Sequence, residues 1–457
     1  MIKLGDIIEV EVEKLTYGAK GLARFGEEKF VVFIQNAIPK DVLKVEIISL
    51  NKKFANAKII EIIKPSEHRI KPFCPIFNAC GSCQLQNCDY DYLLEQKQAI
   101  LKEIFYQVEE DKILPIVKSP EILEYRHKIQ FPARQTKNSK RILMGYFKEN
   151  SHDLTNIKFC PVQPKIMNEI AEFIRENFKL DCYSEKTNQG LLKNVLTRVS
   201  SFDKSILLTL VLNCDKNDFE RFENEILKFF SKIITKFPEI KGCFVNFNSK
   251  NSNKILGNET LKISGQDFIF EKLGEKTYKI GPVSFFQINP KGAKEIFELV
   301  RVNIKENSTI LDAYGGVGAI GIYVSEKAKK ITLVEENQNA VEMAKDNFEL
   351  NNISNFEIFE GDAKKHFVDF KKKKQQFDYV ILDPPRSGCE KEGLEAILKL
   401  TKNVIYVSCN PQTLKRDMEV LKQNGFKLKT LQGVDLFPYT YHIESVAVFE
   451  YTKAESN

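Results

Sequence analysis

Over the first 65 residues, apolar and polar positions alternate in short runs at Ile7–Val12, Lys29–Phe33, Val42–Ile48 and Ala57–Ile63. A period of two sends successive side chains to opposite faces, so each run predicts a half-buried strand. Glycines and polar turns divide the runs. Strands this short and this dense predict a small closed barrel of the OB type. The segment Gly18–Arg24 (GAKGLAR) is expected to be a flexible basic loop between strands.

From about Ser66 to Lys276 the pattern mixes periods. Asp91–Glu109, Lys165–Phe178 and Asp218–Lys236 carry the helical period, and Leu191–Val199 and Ile206–Asn213 predict strands. From about Tyr278 strands alternate with helices. Strand Thr309–Ala313 precedes a glycine turn and helix Ala319–Glu326. Strand Ile331–Val334, helix Gln338–Leu350 and strands Phe356–Phe359, Tyr379–Leu382 and Asn403–Val407 follow. That alternation predicts a doubly wound parallel sheet. The fold class is multidomain: a barrel over residues 1–65, a central α+β domain over 66–276 and a Rossmann-like α/β domain over 277–457.

Composition narrows the class without naming a function. A chain of 457 residues exceeds one ordinary core, and 43% hydrophobic with 28% charged residues is a globular balance. No apolar run reaches the roughly 18 residues of a membrane span, and the start lacks a signal peptide's apolar stretch. A cytoplasmic location and a monomer are the default expectations. A net charge of +6 on so long a chain is weak evidence for a polyanionic partner. The run Lys371–Lys374 is expected to be a solvated loop, and the basic segment at Gly18–Arg24 is either a plain connection or a contact for RNA.

The chemistry-bearing residues gather in the last third. In Leu311–Gly318 (LDAYGGVG) glycines stand where a strand turns into a helix, so that backbone can approach a ligand closely. Glu335 ends the next strand, where a carboxylate can accept from both ribose hydroxyls. These features alone fit a dinucleotide or S-adenosylmethionine equally. Gly361-Asp362, placed to meet an adenine amino group, and Asp383-Pro384-Pro385-Arg386, whose prolines stiffen a loop facing the transferred group, favour the methyl donor.

Cys409, in Ser408-Cys409-Asn410-Pro411, closes the strand Asn403–Val407 at the edge where such sheets bind ligands. Carbon 5 of uracil becomes nucleophilic only after a thiolate adds to carbon 6, which makes Cys409 a candidate nucleophile. The reaction then needs a base for the carbon 5 proton. Glu444, in Tyr441-His442-Ile443-Glu444-Ser445, is the candidate, with His442 as competitor. The uridine must leave its stack to be reached.

Ten cysteines in a reducing compartment point to metal or catalysis rather than disulfides. Cys74, Cys80 and Cys83, with Pro75 and Gly81 bending the loop, are spaced to share a metal centre. Cys88 and Cys160 compete as the fourth ligand, and local spacing favours Cys88.

These motifs, together with Phe285-Phe286-Gln287-Ile288-Asn289, occur in an order and spacing that resembles the bacterial RNA uracil-5-methyltransferases. The ribosomal RNA branch, with a TRAM domain and an iron–sulfur cluster, is the nearest likeness, over nearly the whole chain. The resemblance implies methyl transfer from S-adenosylmethionine to carbon 5 of a uridine, with Cys409 as nucleophile and Glu444 as base. It implies Gln287, Tyr314, Glu335, Asp362 and Asp383 around the donor, and a TRAM barrel that holds RNA, with ribosomal RNA favoured over tRNA. It also implies a [4Fe-4S] cluster on Cys74, Cys80, Cys83 and Cys160, with structural zinc as the alternative. The family usually carries a bulkier residue than Ala313, often a Cys at Gly315, and Asn or Thr at Ala319.

Three rivals are weaker. A base amino-methyltransferase would share the Asp-Pro-Pro loop without needing Cys409. A non-catalytic RNA-binding protein would not keep the full reacting set. An oxidoreductase leaves Cys409 and Glu444 unexplained.

Overall fold

The computed structural model describes residues 2–136, 140–149 and 151–452. Its first five strands, β1 (Ile7–Leu15), β2 (Lys20–Phe25), β3 (Phe30–Gln35), β4 (Val42–Leu50) and β5 (Phe54–Lys64), close into the expected barrel in the order β1-β2-β3-β5-β4. The supposed basic loop is largely strand: β2 pairs with β1 through Val12↔Ala23 and Leu15↔Gly21. Gly21 is there for packing, since a Cβ would lie 2.7 Å from that of Ala37. Only Thr16–Ala19 remains as a turn.

Helix α1 (Tyr90–Ile104) starts at Asp89, whose side chain accepts from the Tyr92 N–H, the usual satisfaction of a helix's first donors. It leads into β6 (Ile113–Val117). A seven-stranded sheet follows, ordered β13-β12-β11-β10-β7-β8-β9, built from β7 (Lys128–Gln135), β8 (Ile142–Phe147), β9 (Leu154–Asn156), β10 (Leu192–Val199), β11 (Ile206–Leu212), β12 (Ile240–Phe247) and β13 (Glu259–Gly265). Helices α2 (Lys165–Asn177) and α3 (Glu223–Lys236) pack into its apolar cluster through Ile170, Ile174, Phe230 and Ile233. The hairpin β14 (Ile269–Leu273) and β15 (Lys276–Ile280) then leads to α4 (Pro290–Val302).

The remaining strands are β16 (Ser308–Ala313), β17 (Ala328–Glu335), β18 (Phe356–Glu360), β19 (Tyr379–Leu382), β20 (Asn403–Ser408), β21 (Phe426–Val434) and β22 (Glu444–Tyr451). They form an eight-stranded sheet in the order β18-β17-β16-β19-β20-β22-β21-β6. The five strands from β18 to β20 are mutually parallel, and β22 runs antiparallel beside β20. Helices α5 (Ala319–Tyr323), α6 (Gln338–Leu350), α7 (Ala363–Lys372), α8 (Lys391–Ile397) and α9 (Pro411–Gln423) provide the crossovers. The eighth strand, β6, comes from the stretch read from sequence as the central domain and pairs parallel with β21. The chain therefore crosses into the second sheet before completing the first.

One apolar cluster spans these parts. Leu15, Ala19 and Ile38 of the barrel pack with Leu93 and Leu101 of α1 and with Tyr406, Tyr439 and Ile443 beside the last strands. No described helix is long and apolar enough to cross a membrane.

A buried ion pair secures the junction. Lys97 Nζ of α1 lies 2.6 Å from Asp435 Oδ1, both side chains being almost fully buried. Lys97 also donates to the His442 carbonyl at 2.9 Å, and the Tyr90 hydroxyl donates to Asp435 Oδ2 at 2.9 Å. Removing one member leaves the other charge buried and alone. We expect Lys97→Met to cost about 3–5 kcal/mol in urea unfolding, with much of the loss recovered in Lys97→Met/Asp435→Leu. A single-variant loss of about 0.5 kcal/mol, the scale of an exposed pair, would contradict this.

Candidate active site

Five strand ends point to one edge of the parallel sheet. Tyr314 follows β16, Glu335 ends β17, Asp362 follows β18, Asp383 follows β19 and Cys409 follows β20. Strand order reverses between β16 and β19, the crevice where open α/β sheets bind ligands.

The β16–α5 turn is shaped for close approach. A Cβ on Gly315 would stand 2.5 Å from the Leu333 side chain. Gly316 and Gly318 have φ of +55° and +80°, which glycine adopts without strain. Tyr314 also has positive φ (+63°), a costly conformation for an aromatic residue of the kind that gathers at functional sites. Glu335 holds the turn, accepting from the Gly316 N–H at 3.0 Å and the Asn337 N–H at 2.9 Å. Asp362 caps α7 through the Lys365 N–H and is exposed. Asp312, to which sequence reasoning gave no role, is buried and accepts from the Gly321 N–H at 2.9 Å. Burial, with Asp383 and Glu335 nearby, pushes its carboxyl up to about 7.

Gln287 lies on the loop before α4. It lines a cavity with His127, Lys128, Arg198 and Glu271, and no hydrogen bond joins it to the other donor-site candidates among the described residues. Burial lowers Lys128 to about 7 and Arg198 to about 10.

The two residues predicted as nucleophile and base meet through sheet register. Ser408 of β20 pairs with Ser445 of β22, so Cys409 and Glu444 occupy adjacent strand ends. Asn410 caps α9 through the Gln412 N–H, with Pro411 at the helix's first position. Cys409 thus immediately precedes a helix N-terminus, whose dipole favours a thiolate. Burial and the Glu444 carboxyl oppose it and push the thiol up to about 11, while the Arg386 guanidinium pulls down. Glu444 is buried. Desolvation and Asp383 raise it to about 8, again against Arg386. Burial also lifts Asp383, to about 7. His442 is held down near 4, by burial first and by Arg386 and Lys97. At neutral pH its imidazole is an uncharged neighbour.

Arg386 is therefore an exposed cation that acts on both Cys409 and Glu444. The sequence showed it as the last residue of the Asp-Pro-Pro-Arg loop without revealing its role. Tyr17 of the barrel lies within electrostatic reach of Cys409 and Glu444, and nothing in its local sequence marks it.

The four cysteines Cys74, Cys80, Cys83 and Cys160 line one cavity with Ile76, Phe77 and Phe159. Cys88 lies elsewhere, buried in a bridge to Arg69 and packed with the barrel-side core. Among the described residues, no three His, Cys, Asp or Glu side chains stand close enough to share a single ion. The Arg126 charge faces Cys160 and Cys83, its Nε is buried without a partner, and no carboxylate pairs with it among the described residues. The loop that carries these cysteines is tied to the segment that leads into Glu444: the Gln84 and Leu85 N–H groups both donate to the Tyr439 carbonyl at 3.0 Å.

Comparison with known proteins agrees with this geometry. A family model described as tRNA (Uracil-5-)-methyltransferase matches residues 89–452, and a TRAM domain matches residues 3–60. An uncharacterized RNA methyltransferase of Oceanobacillus iheyensis is 34% identical over 98% of this chain and 97% of its own length. A second, of Fusobacterium nucleatum, is 34% identical with the same coverage. The crystal structure of Pyrococcus abyssi tRNA (uracil-54, C5)-methyltransferase with S-adenosyl-L-homocysteine is similar over 97% of this chain and 100% of its own, with a TM-score of 0.76 and 26% identity. A TRAM barrel joined to a parallel-sheet domain matched over nearly its whole length leaves one assignment: this chain belongs to the tRNA (uracil-5-)-methyltransferase family and is an S-adenosylmethionine-dependent RNA methyltransferase.

Proposed function

We propose that the enzyme methylates carbon 5 of a uridine through a covalent adduct at Cys409. The observation that carries this reading is the β20–β22 register, which places a thiol and a buried carboxyl side by side at the ligand edge of the sheet. The Cys409 thiolate adds to carbon 6, and the enolate so formed takes the methyl group at carbon 5 from the sulfonium donor. The Glu444 carboxylate removes the carbon 5 proton, and expulsion of the thiolate restores the ring and frees the enzyme. Arg386 favours both anionic forms. Tyr314, Glu335, Asp362 and Asp383 surround the donor from successive strand ends, and Gln287 reaches it from the loop before α4.

The four-cysteine cavity fits a [4Fe-4S] cluster. Such a cluster gives each thiolate its own iron, so its ligands stand farther apart than those of one zinc ion. The unpaired Arg126 charge suits an anionic cluster of thiolates and sulfide. Cys74, Cys80, Cys83 and Cys160 would hold it, and its contribution is to fix the loop that supports Tyr439.

The substrate we favour is ribosomal RNA, because the barrel and the four-cysteine set together resemble that branch. A tRNA substrate is the second reading, favoured by whole-length similarity to an archaeal tRNA enzyme. Transcripts of both kinds, offered with tritiated methyl donor, separate them by which one gains label in 5-methyluridine.

RNA carrying 5-fluorouridine should trap a methylated adduct on the wild-type protein by intact mass, and none on Cys409→Ala. Methylation of ordinary RNA by Cys409→Ala would sink the covalent mechanism. Glu444→Gln should lower turnover by about 10²–10⁴-fold while accumulating adduct on ordinary uridine.

The raised carboxyls set opposite pH trends. Glu444 works as a base only when ionised, so kcat/KM should rise with pH through about 8. Glu444 and Asp383 bind their protons more tightly folded than unfolded. Their stabilising contribution is full below about 4 and is lost as pH rises to about 7 for Asp383 and about 8 for Glu444. Urea midpoints should thus fall over that window, and fall less in Glu444→Gln. An identical profile in the variant would refute the assignment.

Protein purified without oxygen should carry iron and inorganic sulfide. Cys160→Ser should lose both and Cys88→Ser keep them. Zinc in place of iron, or iron lost with Cys88, would overturn the ligand set.

A further inference from the structure

The barrel's β1–β2 turn is partly buried against the rest of the chain. Thr16 closes it twice, its N–H and its hydroxyl both donating to the Lys20 carbonyl at 2.9 Å, and the Ala19 N–H donates to Thr16 at 3.0 Å. Gly18 and Ala19 have φ of +104° and +63°, so the reversal is tight. Leu15 and Ala19, flanking the tip, are buried in the cluster that includes Tyr439 and Ile443. Tyr17 at the tip is half-buried, and its ring stands edge-on to Tyr441, 5.7 Å between centroids at 88°. Tyr441 in turn packs at 4.3 Å against His442, two residues before Glu444.

The groups that bear electrostatically on the Tyr17 hydroxyl are Tyr441, Cys409, Glu444 and Arg386. These are the reacting pair, the cation that acts on both, and the ring against which Tyr17 packs. The Tyr17 hydroxyl makes no hydrogen bond among the described residues, so no protein group fixes the ring from its far end. Burial keeps that phenol protonated, pushed up to about 12. An uncharged aromatic face beside a nucleophile suits a flat uncharged ligand, and bases turned out of RNA are held by stacking on such faces.

We propose that the ring of Tyr17, carried on the N-terminal barrel, forms one wall of the pocket that receives the target uridine. The TRAM barrel then has a second task besides holding RNA: it completes the site at which the adduct forms. The inference rests on the covalent reading above. With the base unsupported on that side, carbon 6 is less often in line with the thiolate.

The test compares the full-length wild type, Tyr17→Phe, Tyr17→Leu and Tyr17→Ala. Each is saturated with 5-fluorouridine RNA and methyl donor, and adduct formation is timed by intact mass. Loss of one stacked base corresponds to roughly 10–100-fold. Tyr17→Ala and Tyr17→Leu should slow adduct formation by that factor with RNA Kd within about twofold, and Tyr17→Phe should restore the rate. Tyr17→Leu keeps apolar volume at the tip, so a slow Leu variant with wild-type melting excludes a folding defect.

Alkylation of Cys409 by iodoacetamide without RNA is the independent readout, and it should quicken in Tyr17→Ala as water gains access. A wild-type adduct rate in Tyr17→Ala, or a Phe variant as slow as Ala, overturns the wall. Failure of the wild type itself to trap adduct overturns the covalent reading instead, with the alkylation rates still deciding whether Tyr17 covers Cys409.

Discussion

The segment from Asp435 to Ile443 has no regular structure of its own, yet it sets where β22 begins and so where the Glu444 carboxyl stands beside Cys409. It is held by the buried pair between Lys97 and Asp435. Two charges removed from water are tolerated only when their remaining lone pairs and protons are matched. Here the match is close to complete: Asp435 also accepts from Tyr90, and Lys97 also donates to the His442 carbonyl. The pair ties α1 to both ends of the catalytic segment. Further anchors act between them, with Tyr125 donating to the Pro438 carbonyl at 3.1 Å and Asn289 to that of Leu436 at 2.8 Å. Together with the Gln84 and Leu85 contacts to Tyr439, the segment is gripped by elements from across the chain.

This arrangement explains why the chain crosses between sheets. Strand β6 sits at the edge of the eight-stranded sheet beside β21, directly before Asp435, and the Asp435 N–H donates to the Val117 carbonyl at 2.9 Å. A methyltransferase sheet without β6 and α1 would lack the partner that keeps Asp435 buried. The barrel joins the same cluster through Leu15, Ala19 and Ile38, and its cost in chain entropy is offset by that shared apolar burial. Catalytic geometry and domain docking therefore rest on the same contacts.

The electrostatics of the site follow from how dry it is. Asp312, Asp383 and Glu444 are all displaced upward chiefly by desolvation, and Asp383 lies near enough to both others to add repulsion. The exposed Arg386 opposes the rise at Glu444 and at the neighbouring Cys409. Stability and reactivity are set against each other here, because the deprotonated state that can act as a base is the state that burial penalises.

Much of this was legible in the amino-acid sequence. Strands β16, β19 and β20 carry buried apolar runs, and the helix predicted at Gln338–Leu350 matches α6, because burial on both faces and helical periodicity leave local signatures. The glycine turn, the Asp-Pro-Pro-Arg loop and the placement of Cys409 at a strand end are also local. Helices α7, α8 and α9 were not read, since their polar faces dilute the period. Strand β2 looked like a loop because Gly21 and Ala23 answer to close packing inside the barrel rather than to strand propensity. What the sequence determined by itself was the set of parts and the chemistry each could perform. That Glu444 stands beside Cys409, that Cys88, which local spacing favoured, lies away from the cavity Cys160 lines, and that Tyr17 packs against Tyr441 were decided only by tertiary structure. These proximities join residues far apart in the chain, and buried pairs, strand register and a common apolar core, rather than any local pattern, bring them together.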